Sequence, residues 1–205
     1  MAATATNPFK QPFAYANEPL YRLSVEQYRE LINRGKLTPD DPVELIEGLL
    51  LFKSPKGESH IAAARRCRHA IQALVPSGYF YDAQCPITLP DGEPEPDGIV
   101  VLGNIDDPET TKPKPDRLCL VIEVADTSLD REHGSKLRSY ARAGIGCYWI
   151  VNLIDRQIEV YTQPDAVANP PKYQKIDIFK IGESVPFVID GKSVSAIAVG
   201  DILPI

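Results

Sequence analysis

Nowhere in the 205 residues do apolar residues approach the ~20 in a row that a membrane-spanning helix needs. The amino terminus, MAATATNPFKQPFAYANEPL, lacks both a basic start and an apolar stretch, so it is no signal peptide. Together these absences predict a cytoplasmic protein with no membrane partner. Cysteine is scarce and unpaired in sequence. Cys67, Cys85, Cys119 and Cys147 include no C-x-x-C pair, which excludes a zinc ribbon or a thioredoxin motif and leaves free thiols as the plain reading. A basic excess is also missing. With 22 basic against 28 acidic residues the net charge is −6, which argues against a broad nucleic-acid-binding field but permits a local basic patch. There is no internal repeat, no low-complexity tract, no zinc finger and no recognisable target-reading module.

What is present suits one domain with its own core. Residues 1–20 read as a flexible arm and 21–205 as the domain. Ser24 and Gln27 form a capping box ahead of a short helix over about 25–34. Residues 42–53 read as two strands around Glu47-Gly48. A helix over about 59–75 carries a seam of Ile61, Ala64, Cys67, Ile71, Leu74 and Val75. Strands are expected at 79–89, interrupted by Pro86, and at 98–102, 118–124, 145–151 and 158–162. A continuous helix is expected over 130–143. Residues 173–205 alternate like strands, with Asp190-Gly191 a hairpin turn. The order predicts a mixed α/β (α+β) sheet flanked by helices, with its core at 42–163 and a strand extension over 164–205.

Two carboxylates occupy positions that require explanation. Asp97 follows Pro96 at the mouth of a strand. Glu123 interrupts Leu120-Val121-Ile122-Glu123-Val124, where burial costs several kcal/mol unless compensated. A divalent cation shared by the two is one compensation, since Mg²⁺ takes one or two carboxylates plus water and phosphate oxygens. A buried salt bridge for Glu123 and a turn role for Asp97 are the plainer readings. Lys136, early in the following helix, can reach back toward Glu123, and Tyr140 on the same face reads as a core residue. Glu44 reads first as an outward strand residue, and second as a third carboxylate. His60 reads equally as an exposed first-turn residue or a phosphate or water contact, and His69 and His133 as solvated. Lys53, Lys56, Arg65, Arg66 and Arg68 are the densest basic positions, suited to DNA phosphates or simply to solvent.

These residues carry a resemblance. Glu95-Pro96-Asp97, Ile122-Glu123-Val124 with Thr127, Asp130 and Lys136, Tyr140-Ala141-Arg142-Ala143-Gly144-Ile145 and Tyr148-Trp149-Ile150-Val151 resemble the Uma-type restriction-endonuclease-like family, within the PD-(D/E)XK nuclease superfamily. Val43-Glu44-Leu45-Ile46-Glu47-Gly48 and Ser59-His60 add to the match, which spans residues 22–163. The resemblance implies an αβββαβ core and hydrolysis of DNA phosphodiesters with Mg²⁺ or Mn²⁺ on Asp97 and Glu123. The superfamily's lysine ordinarily stands two residues after the glutamate. Here that position is Ala125, and Lys136 on the next helix is the candidate. Ala125-Asp126 also replaces the usual serine-proline step, leaving Asp126 as an extra acid or a cap. A homodimer is expected, because cutting two strands calls for two sites, with the C-terminal strands as its interface. A catalytically degenerate binding protein on the same fold, or a metal-dependent hydrolase of another substrate, are the alternatives.

Overall fold

The computed structural model describes residues 19–38 and 40–204. The arm expected over 1–20 therefore lies, except for Pro19 and Leu20, outside the described residues. Helix α1 (Val25–Asn33) begins at Ser24, whose hydroxyl accepts from the Gln27 amide while the Gln27 side chain accepts from the Ser24 amide. Strands β1 (Val43–Ile46) and β2 (Leu49–Phe52) pair across Glu47 and Gly48, both at positive φ as a tight two-residue turn requires.

A six-stranded sheet follows, in the order β3 (Tyr79–Asp82), β4 (Gly98–Leu102), β5 (Leu118–Ala125), β6 (Cys147–Asn152), β7 (Gln157–Asp165), β8 (Lys172–Lys180). Only β5 and β6 run parallel, and the connection between them is helical, as parallel neighbours demand. Helix α2 (Glu58–Gln72) covers one face. Helices α3 (Leu129–Arg131) and α4 (Leu137–Arg142) belong to the crossover, and α4 covers the other face. This is the mixed α+β sheet with flanking helices that the sequence predicts.

Side-chain alternation along β5 brings the two acids together. Leu120, Ile122 and Val124 enter the core beneath α2, while Val121 and Ala125 enter the core beneath α4. With a period of two, Glu123 shares the α4 side. Gly98 pairs with Ile122, so the residue before it, Asp97, falls beside Glu123. A side chain at Gly98 would displace Tyr81, since a Cβ there would meet the Tyr81 hydroxyl at 2.2 Å.

Several expectations are corrected. The strand expected over 79–89 stops at Asp82, and Gln84 at positive φ turns the chain away. The crossover helix is not continuous. A π turn over Glu132–Lys136 separates α3 from α4, and Gly134 adopts the non-helical φ −102°, ψ −106°; glycine tolerates what other residues resist. In α2 the buried positions are His60, Ala63, Cys67 and Ile71, whereas Ile61, expected on the seam, is exposed. Of the C-terminal strands, β8 is an edge of the sheet and the last two belong to the core. The hairpin β9 (Ser184–Ile189) and β10 (Lys192–Ala198), turning at Asp190-Gly191, lays Val185, Phe187, Ile189 and Ile197 into the core around Trp149, and α5 (Val199–Ile202) adds Val199 and Ile202. All four cysteines are free, two buried and two partly so. Among the described residues no helix is long and apolar enough to cross a membrane.

Candidate metal centre

Asp97, Glu123, Lys136, His60 and Glu44 line one small cavity of about 40 Å³. That is room for roughly three water-sized bodies. Five elements converge on it: β1 brings Glu44, α2 His60, the mouth of β4 Asp97, β5 Glu123 and the crossover Lys136.

Asp97 is bound on both oxygens. Oδ2 accepts from the Val124 amide at 2.9 Å, which ties it to the residue next to Glu123. Oδ1 accepts from His60 Nε2 at 2.9 Å and lies 3.0 Å from Lys56 Nζ. Burial would raise the Asp97 carboxyl, but the His60 ring, the Lys56 ammonium and the Val124 amide outweigh it and hold the group at about 2. Glu123 stands in the opposite balance. Burial pushes it well above the ordinary carboxylate range, Lys136 pulls it back, and Glu132, Asp97 and Glu44 raise it further. Two donors meet on its Oε1: Lys136 Nζ at 2.8 Å and the Tyr140 hydroxyl at 2.6 Å. Burial alone would lower Lys136, but Glu123, Glu132 and Glu44 together raise it, so it is an ammonium at neutral pH.

Other expectations need correcting. Glu44 does not face outward. It is 3% exposed, accepts from the Glu95 amide at 3.2 Å and has Arg131 at 3.5 Å. Tyr140 packs in the core and also holds Glu123. His60 is buried against Asp97 rather than exposed. His133 is exposed, as expected, and its Nε2 also lies 2.6 Å from Glu159 Oε2. Lys53 and Lys56 sit at the cavity, paired with Glu95 at 2.7 Å and with Asp97. Arg65 and Arg66 are not brought to it. Arg66 donates to the Leu203 carbonyl at 3.2 Å, fastening the chain's end to α2. Asp126 faces another hollow, with Ser59, Arg156 and Pro204.

Three charged residues of the cavity, Glu95, Arg131 and Glu132, are not among the site candidates read from the sequence. Glu132 is 3% exposed, and its Oε2 is buried without a hydrogen-bond partner. Its signal was available, since it precedes Lys136 by four residues and so shares its helix face.

The donor set suits a hard divalent cation. The cavity offers carboxylate oxygens, those of Asp97 and Glu123 among them, and no thiolate. Among the described residues no three His, Cys, Asp or Glu are grouped closely enough to hold a metal unaided. The fit is thus to an ion taking Asp97 and Glu123 and completing its shell with water and substrate oxygens.

Comparison with other proteins bears on the fold and the family. No curated protein matches the chain. The crystal structure of a putative nuclease belonging to DUF820, from Anabaena variabilis, superposes with a TM-score of 0.68 at 18% identity, over 88% of this chain and 97% of that one. At that identity the likeness establishes the fold. The model of the Uma2 family, described as "Putative restriction endonuclease", matches residues 25–189, most of the chain, and the protein belongs to that family.

Proposed function

We propose that the protein is a metal-dependent endonuclease that hydrolyses DNA phosphodiester bonds. One observation carries this reading: Asp97 and Glu123, from adjacent strands, meet in a single cavity with the Lys136 ammonium on Glu123. Asp97 and Glu123 would hold Mg²⁺ or Mn²⁺, which supplies Lewis acidity at the phosphate and makes bound water a better nucleophile. Asp97, kept ionised by its neighbours, provides a permanent anionic ligand at any physiological pH. His60 orients that carboxylate, and Tyr140 and Lys136 fix Glu123. Lys136 also places positive charge where negative charge develops on the reacting phosphate. Lys53, Lys56 and Arg131, about one-quarter to one-third exposed at the rim, suit phosphate oxygens and position the backbone without reading sequence.

The test pairs calorimetric titration of Mn²⁺ and Mg²⁺ with plasmid nicking, on the wild type and on Asp97→Ala/Glu123→Ala. Metal uptake and nicking that vanish together in the variant are the expected result. Uptake without nicking of DNA would refute the substrate and favour another hydrolysed ester. No uptake by the wild type would refute the metal centre. A non-catalytic reading draws on one observation, that Lys56 and Lys136 already neutralise the two carboxylates.

Cleavage of both strands calls for two copies, and β8 is the edge that suits them. An antiparallel pair centred on Ile176 would set Lys175 opposite Asp177 of the second copy, and Asp177 opposite Lys175. In the single chain these two side chains pair with each other at 2.5 Å.

A further inference from the structure

Three carboxylates from three elements surround one ammonium. Lys136 Nζ lies 2.8 Å from Glu123 Oε1, 3.6 Å from Glu132 Oε2 and 3.8 Å from Glu44 Oε1. Lys136 and all three acids are buried, each at most 5% exposed. Such a cluster of hard oxygens is what a divalent ion selects, yet its occupant is a side chain of the same chain. Glu132 Oε2 is sealed from solvent and makes no hydrogen bond, and the Lys136 ammonium, ahead of a hydrogen bond from Ser128, is the largest offset to what burial costs the carboxylate. The π turn places both residues, because Glu132 and Lys136 bound it.

Asp97 lies on the other side of Glu123 and has its own retinue of Lys56, His60 and the Val124 amide. Both donors to Glu123 fall on Oε1. Glu123 thus lies between two lysine ammonium groups: an outer position beside Asp97, where Lys56 stands, and an inner one, where Lys136 stands.

We propose that Lys136 stands in for a second divalent ion, that Glu132 is the positioning residue that holds it there with Glu123 and Glu44, and that each chain takes one metal ion, beside Asp97. The inference rests on the metal centre proposed above and sets its stoichiometry. A second dication at the inner position would meet the full charge of an ammonium a few ångströms away in a poorly solvated cavity. Removing that ammonium leaves three buried acids that, as placed, do not form a group able to hold a metal; a dication would be held there once their oxygens close in from 2.8–3.8 Å around the vacated point.

The experiment counts ions. Chelator-treated protein is titrated with Mn²⁺ by calorimetry, and electron paramagnetic resonance of bound Mn²⁺ reports whether two ions are coupled. The wild type should take one ion and Lys136→Ala two coupled ions, with the second lost again in Lys136→Ala/Glu132→Gln. Glu132→Gln alone should take one ion at close to wild-type affinity, because Glu132 holds the lysine and not the metal. Two ions in the wild type, or one in folded Lys136→Ala, would overturn the inference. So would a fall of about tenfold or more in Glu132→Gln, the loss expected for a residue acting directly on the metal's ligands. If Lys136→Ala fails to fold, wild type and Glu132→Gln decide between them. A wild type that takes no ion overturns the metal centre and this inference with it; every other failure overturns the inference alone.

Discussion

Replacing Tyr140 by phenylalanine separates two accounts of that side chain. Tyr140 is fully buried, packed edge-on to Tyr148 with ring centroids 4.9 Å apart, and its hydroxyl donates to Glu123 Oε1 at 2.6 Å. If packing were its whole role, phenylalanine would fill nearly the same volume, and such swaps cost little. The hydrogen bond to a buried carboxylate changes that. Bonds to charged groups contribute about 1.5–3 kcal/mol. Glu123 would keep Lys136 on the same oxygen, so the loss should stay within that range. For a protein of this size it corresponds to a melting temperature lower by roughly 3–12 °C. With one of two donors gone, burial should push Glu123 further toward its protonated form, and Mn²⁺ affinity should fall by roughly 10–100-fold, as for other outer partners of a ligand. Scanning calorimetry in chelator measures the first effect and Mn²⁺ titration the second. A variant that melts with the wild type and binds Mn²⁺ equally well would refute the claim that Tyr140 fixes Glu123.

Two further outcomes test the architecture. Phe187→Ala empties a site that is fully buried and set edge-on to Trp149. It should cost about 3–5 kcal/mol, read by urea unfolding, and a near-neutral result would show that the β9–β10 hairpin does not belong to the core. Asp177→Lys should abolish self-association in sedimentation equilibrium, because the β8 pairing would then set lysine opposite lysine. Lys175→Asp combined with Asp177→Lys should restore it. Association unaffected by the single change would place the dimer contact elsewhere.

The fold was legible where one local pattern sufficed. The capping box at Ser24, the turn at Glu47-Gly48 and the apolar run of β5 each encode their element within a few residues. The crossover was not, because its helical periodicity continues through Gly134, and only packing of Lys136 and Glu132 against β5 rewards the π turn that interrupts it. The site divides along the same line. Asp97 and Glu123 stood out because a carboxylate at a strand mouth or in an apolar strand needs a compensating partner. Glu44 was harder to place. On a four-residue strand an acid facing solvent and one facing a cavity read alike, and its direction depends on how β1 docks on the loop before β4, through the Leu45–Glu93 bridge.

Lys53 and Lys56 mark where reading from composition stops. A basic pair just before a helix reads as a contact for an anionic polymer, and the net charge of −6 weighs against that. Neither consideration reveals that both lysines fold back onto the cavity's own acids. The charge that matters to a phosphate is local. Five acids (Glu44, Glu95, Asp97, Glu123 and Glu132) meet four cations (Lys53, Lys56, Arg131 and Lys136) in that cavity, so the cavity is close to balanced before any metal enters. One divalent ion, if bound as proposed, would make it cationic toward a phosphodiester, whatever the sign of the whole surface. An acidic protein with such a centre can therefore engage a polyanion at one point without a basic face, at a cost in long-range steering. The charge balance predicts association with DNA that depends strongly on the divalent ion.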